Sequence, residues 1–177
     1  MLDTLAPLKP MRVDTDQAAE TRPTADDLKA TFSCLPTGVA AICAVVDGKP
    51  EGMIASTFTP VSLDPALVSI CIDARSQTWP VLADAPHLAI SLLAEHQEPV
   101  SRALSAKGGD RFAGLPIDAS EDGPLVIPEA TAWMMCEKYS QVTAGDHEIV
   151  IFRILQSGAD TERRPLVYHR SGFKRLA

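Results

Sequence analysis

Apolar and polar positions follow two different periods along this chain, a helical one near the start and a β-like one over most of the remainder. Thr24 stands as a hydroxyl N-cap before Asp26 and Asp27, and Leu28, Phe32 and Leu35 follow at helical spacing, which predicts a helix closed by Pro36. From Val39 to Val46 the residues are small or branched and apolar, Asp47-Gly48 is a hairpin turn signal, and Gly52 to Ser62 continues extended. Asp64-Pro65 punctuates the pattern before a further buried strand over Ala66 to Ile72. A short helix at about Trp79 to Ala83 precedes a strand from His87 to Leu93. Glu98 to Ser105 has helical composition, and Lys107-Gly108-Gly109-Asp110 reads as a loop. Ala130 to Val142 and Glu148 to Gln156 are strand candidates divided by Ala144-Gly145-Asp146, and Pro165 to His169 begins the last.

Six or seven β segments with only short helices predict a mainly β protein built as an antiparallel barrel rather than a βαβ sheet. No Gly-x-Gly-x-x-Gly follows a strand, so a nucleotide cofactor would not be held in a Rossmann crevice. Residues 1–23 carry three prolines among mixed polar residues without either period and read as a flexible N-terminal arm. Residues 24–177 are taken as one domain, a size that buries a single core.

Composition narrows the classes. Apolar residues make up 46% and charged residues 22%, ordinary globular usage. The net charge of -7 disfavours nucleic acid, whose phosphates require clustered Lys and Arg. The expected location is cytoplasmic: the N-terminus shows no signal-peptide pattern, and no apolar run approaches the ~18–20 residues that span a bilayer. Cys34, Cys43, Cys71 and Cys136 form no Cys-x-x-Cys pair and are expected to be buried reduced thiols. His87 and His96 are read as structural or surface residues, and no histidines pair at metal-ligand spacing.

Three stretches carry candidate chemistry. In Leu35-Pro36-Thr37-Gly38-Val39, Gly38 admits close approach of a ligand and Thr37 offers a hydroxyl; the same residues also make an ordinary turn from helix to strand. Gly52 to Pro65 packs Ser56, Thr57, Thr59 and Ser62 into one extended segment, enough donors for a phosphate or a heterocycle edge, though such residues also suit a half-exposed strand. In Arg75-Ser76-Gln77-Thr78-Trp79-Pro80, Ser76 or Thr78 caps the short helix and Arg75 adds positive charge; a plain cap with Trp79 packed on the barrel is the alternative.

Together with Asp110-Arg111-Phe112-Ala113-Gly114, Gly145-Asp146-His147 and Pro165-Leu166-Val167-Tyr168-His169-Arg170, these stretches resemble, in order and spacing, the flavin reductase family with the FMN-binding split-barrel fold. That family includes reductase components of two-component flavin monooxygenases. The resemblance runs from about Phe32 to Leu176 and implies an antiparallel Greek-key split barrel. It implies NAD(P)H-dependent transfer of a hydride to FMN or FAD, with NADH or NADPH as donor and a flavin-dependent monooxygenase as partner. It places Pro36, Thr37 and Gly38 by the flavin, with Ala55, Ser56 and Thr57 lining it. Ser62 and the loop of Arg75, Ser76 and Thr78 reach the phosphate end. It sets His147 on the nicotinamide side as the catalytic candidate, Tyr168 and His169 near the ring, and Phe112 closing over the pocket. It also implies a homodimer with each pocket near the subunit interface.

Hydride transfer between two cofactors asks the protein for stacking geometry and electrostatics, not for a nucleophile. The sequence departs from the family pattern at Pro60, where a serine is common, and at Ala66, where a second proline often follows Pro65. Glu148 replaces a small polar residue after His147; an added carboxylate there is expected to disfavour NADPH. Ser171-Gly172-Phe173 stands where a Gly-Gly-aromatic run is common. Two further readings remain: a split-barrel protein that holds its flavin tightly, and a barrel that has lost its pocket, toward which Pro60 and Glu148 point.

Overall fold

The computed structural model describes residues 22–117 and 121–176. The expected N-terminal arm lies, through residue 21, outside the described residues. Helix α1 (Ala25–Phe32) begins where Thr24 and Asp27 form a capping box, the Asp27 N–H donating to Thr24 Oγ1 at 3.2 Å and the Thr24 N–H to Asp27 Oδ2 at 2.9 Å. It ends before Pro36 is reached. None of its residues is buried; Phe32 at its end is 68% exposed, and Leu35, beyond it, is 67% exposed.

Strands β1 (Thr37–Gly38), β2 (Ala40–Val46), β3 (Lys49–Ala55), β4 (Thr59–Leu63) and β5 (Ala66–Asp73) follow. Helix α2 (Trp79–Asp84), strand β6 (Leu88–Leu92), a 3-10 turn at Glu95–Gln97 and helix α3 (Glu98–Leu104) come next. Strand β7 (Gly123–Pro124), the long hairpin β8 (Ala132–Ala144) and β9 (His147–Ala159), and the small hairpin β10 (Val167–His169) and β11 (Gly172–Lys174) complete the chain.

The main sheet runs β3-β2-β6-β8-β9-β5-β4, every neighbour antiparallel, with β7 added to β2. The segment expected to run extended from Gly52 to Ser62 is therefore two strands at opposite edges of the sheet. Ser56, Thr57 and Phe58 carry the chain from one edge to the other, so the barrel is open at the place where the hydroxyl-rich segment crosses. Pro60 is accommodated because β4 is an edge strand that carries a bulge between Pro60 and Ser62.

Strand β2 explains its own uninterrupted apolar run. Ala40, Ile42 and Ala44 point into a core with Ile70, Ile90, Val150 and Phe152, whereas Val39, Ala41, Cys43 and Val45 point into a second core with Leu104, Phe112 and Leu166. Both faces of the strand are covered, so alternation has no polar side to show. Cys43 and Cys136 are buried and burial pushes each thiol up to about 12, whereas Cys71 is half-buried. Cys34 departs from expectation and is exposed, because it follows a helix that buries nothing.

Among the described residues no helix is long and apolar enough to cross a membrane, and no three His, Cys, Asp or Glu side chains group as a metal site.

Candidate active site

Two cavities rest on edge strand β3 and on the segment that follows α3. The first, about 330 Å³, is lined by Val39, Ile54 and Ser56, by Ser101, Arg102 and Ser105 of α3 and its end, and by Tyr168 and Phe173 of the small hairpin. Tyr168 and Phe173 meet edge to face with ring centroids 5.4 Å apart. The Arg102 guanidinium lies 5.3 Å from the Phe173 ring centroid and is steadied by Glu98, which accepts from its Nε at 2.8 Å. An apolar, aromatic wall with serine hydroxyls on its rim suits one planar heterocycle.

The second, about 650 Å³, is lined by Glu51, Arg75, Gln77, Thr78, Lys107, Gly108, Gly109 and Arg111. Gly108 and Gly109 adopt φ of 82° and 76°, which the other residues rarely take. Three cations and a glycine loop form a donor set fitted to phosphate. The two cavities thus offer the kinds of group a flavin nucleotide needs, an aromatic wall with hydroxyls in the first and cations in the second.

The expected residues divide accordingly. Ser56 and Tyr168 are brought together in the first cavity, and Thr37 pairs with Tyr168 across β1 and β10. Pro36 and Gly38 are exposed beside them, and a Cβ at Gly38 would meet nothing within 4 Å. His169 closes the hairpin opposite Gly172. Arg75 and Thr78 line the second cavity. Ser76 accepts from the Trp79 N–H at 3.1 Å and so secures the start of α2.

Other expected residues serve the fold. The Ala55 methyl is buried in the first core. Thr57 Oγ1 donates to the Cys71 carbonyl at 2.9 Å and accepts from the Cys71 N–H at 3.0 Å, which ties the crossing segment to β5. Ser62 lies half-buried in β4 opposite Leu67. Phe112, expected to close over the pocket, is 6% exposed and packs in the second core.

His147 lines neither cavity. It sits opposite Asp73 across β5 and β9, and its Nδ1 lies 2.7 Å from Asp146 Oδ1. Arg75 holds Asp73 through Nε at 3.0 Å and Nη2 at 2.7 Å, so its hydrogen bonds keep the Asp73 carboxyl well below the usual range. The hydrogen bond with His147 lowers Asp146 as well. Glu148 was expected beside this group, but successive strand residues face opposite ways. It pairs instead with Ile72 and Thr143 and accepts from Thr143 Oγ1 at 3.0 Å.

Sequence reasoning passed over Arg102, Glu51, Lys107 and Arg111 as site residues. Arg102 lies on α3 and pairs with Glu98 at i,i+4, a spacing common on any solvated helix face. Arg111 had a signal, a cation between a Gly-Gly loop and a buried aromatic.

Residues 32–177 match the model of the flavin reductase like domain. A flavin reductase of Pseudomonas putida is 35% identical over 146 residues, covering 82% of this chain and 86% of the relative. The reductase component of the flavin-dependent trigonelline monooxygenase of Acinetobacter baylyi is 40% identical over 129 residues, 72% of this chain but only 42% of that longer protein. The structure of the Streptomyces globisporus C-1027 NADH:FAD oxidoreductase SgcE6 in complex with NAD and FAD fragments superposes with a TM-score of 0.80 at 29% identity, covering 86% of this chain and 92% of that one.

This chain belongs to the flavin reductase like family, whose members are flavin oxidoreductases.

Proposed function

We propose that this protein transfers a hydride from NADH to FMN or FAD and supplies the reduced flavin to a partner monooxygenase. The observation that carries the reading is the adjacency of the two cavities on β3, an aromatic one of about 330 Å³ and a cationic one of about 650 Å³. A bound flavin supplies the hydride acceptor. The chain's own residues bind and orient: Ser56 and Tyr168 bound the ring, and Arg75, Lys107 and Arg111 attract the phosphate. His147, held by Asp146, serves the nicotinamide side. The trigonelline and other relatives named as reductase components support a monooxygenase as recipient. SgcE6 supports NADH as donor.

Assembly as a homodimer fits the apolar residues left outside. Leu63 is 98% exposed on edge strand β4, and α1 buries none of its residues. Light scattering at working concentration checks it: a dimer mass is expected, and a monomer mass contradicts it.

The test of the reading is titration of added flavin against intrinsic fluorescence, followed by desalting. Saturable binding that desalting reverses supports a diffusible flavin substrate. Binding that survives desalting favours the tightly held alternative, and absence of binding overturns both.

A further inference from the structure

The cationic cleft contains one carboxylate. Glu51, at 29% side-chain exposure on β3, accepts from Arg111 Nη2 at 3.1 Å, and Arg111 itself is 20% exposed. Through Nη1 the same guanidinium donates to Thr78 Oγ1 at 3.0 Å. Arg111 thus spans the edge strand and the turn before α2, with both ends satisfied inside the cleft. Phe112, the next residue, is anchored in the core, so the position of the guanidinium is set by packing as well.

A carboxylate and a phosphate offer a guanidinium the same pair of acceptor oxygens. Partial withdrawal from water makes such a pair stronger than one on an open surface. Arg75 already donates two hydrogen bonds to Asp73, so Arg111 is the cleft's guanidinium whose partner lines the cleft itself.

We propose that Glu51 stands in for the flavin phosphate in the free protein and lowers flavin affinity. An incoming phosphate takes the Nη2 donor of Arg111 from Glu51, and the Glu51–Arg111 pair re-forms on release. This rests on the cleft's assignment as the phosphate end of the flavin site. Glu51 is then a specificity-determining residue: it weakens flavins that carry phosphate and leaves riboflavin, which carries none, untouched. Weak retention suits a protein that gives its flavin to another.

The experiment measures dissociation constants of FMN, FAD and riboflavin for the wild type, Glu51→Gln and Glu51→Ala by fluorescence quenching at fixed low salt. FMN and FAD are expected to bind about tenfold more tightly to both variants, the scale of one charge-assisted hydrogen bond. Riboflavin is expected to bind all three proteins equally. Unchanged or weaker FMN binding by the variants overturns the proposal, as does equal tightening of riboflavin. If FMN binds no better than riboflavin in the wild type and in both variants, the cleft takes no phosphate and the proposal fails while the reductase reading stands. If the wild type binds none of the three, the reading fails together with the proposal.

Discussion

Gly52 and Phe112 meet where position 52 has no room for a side chain: an added Cβ would lie 2.7 Å from Phe112 Cζ and 2.7 Å from Cys43 Sγ. This contact fastens the end of the loop that carries Arg111 beneath the edge strand that carries Glu51. Gly52→Ala is therefore expected to lower stability by about 1–3 kcal/mol, the usual effect of overpacking a core. It should also weaken FMN more than riboflavin, because the displaced loop bears the cations. Urea unfolding midpoints and parallel flavin titrations check both effects.

Thr37, Ser56 and Thr57 are neighbours in the sequence argument with different duties in the fold. Thr37→Ala and Ser56→Ala are each expected to weaken flavin binding by about 0.5–1.5 kcal/mol, the net worth of a neutral hydrogen bond. Thr57→Val should instead lower stability by about 1 kcal/mol, since its hydroxyl is engaged by both backbone groups of Cys71. Equal losses of flavin affinity in all three variants would contradict this division.

The hairpin turn at the ring cavity is made by Arg170 and Ser171, with φ of 48° and 58°. Two residues at positive φ form the turn that favours glycine or asparagine, and neither is present. Ser171→Gly is expected to stabilise the protein by about 0.5–1 kcal/mol by relieving a left-handed serine. Thermal melts of the two proteins provide the check. A lower melting temperature in the variant would show that the serine side chain makes a compensating contact.

Asp73 and His147 are cross-strand partners in a cluster closed by Arg75 and Asp146. The folded state depresses the Asp73 carboxyl, so it binds fewer protons than the unfolded chain in acid. Stability from this group is present above the ordinary carboxylate range near about 4 and is lost as pH falls through the folded value. Asp73→Asn should remove that increment, and the two melting curves should converge at the acid end. His147→Ala is expected to slow flavin reduction while sparing flavin affinity, which stopped-flow and titration separate.

Much of the fold was legible because it rests on local signals. The capping box at Thr24, the Asp47-Gly48 turn and the apolar run of β2 each specify their element within a few residues. What could not be read was long-range. Nothing local announces that Gly52 to Ser62 is cut into strands at opposite edges of the sheet, since residue types in both halves suit extended chain. For the candidate site the same limit applies. Ser56 and Tyr168 line one cavity and Arg75 and Thr78 the other, but Ala55 and Phe112 turn inward because strand parity and packing decide which face they take. Glu51 was hidden because a single carboxylate on a strand looks like solvated surface until Arg111 is seen across from it.

NADH oxidation by the purified protein, with and without added FMN or FAD, tests the central claim most directly. Oxidation that depends on added flavin and saturates with it is the predicted result. Oxidation that is absent with either flavin, or that proceeds equally without them, would contradict the account.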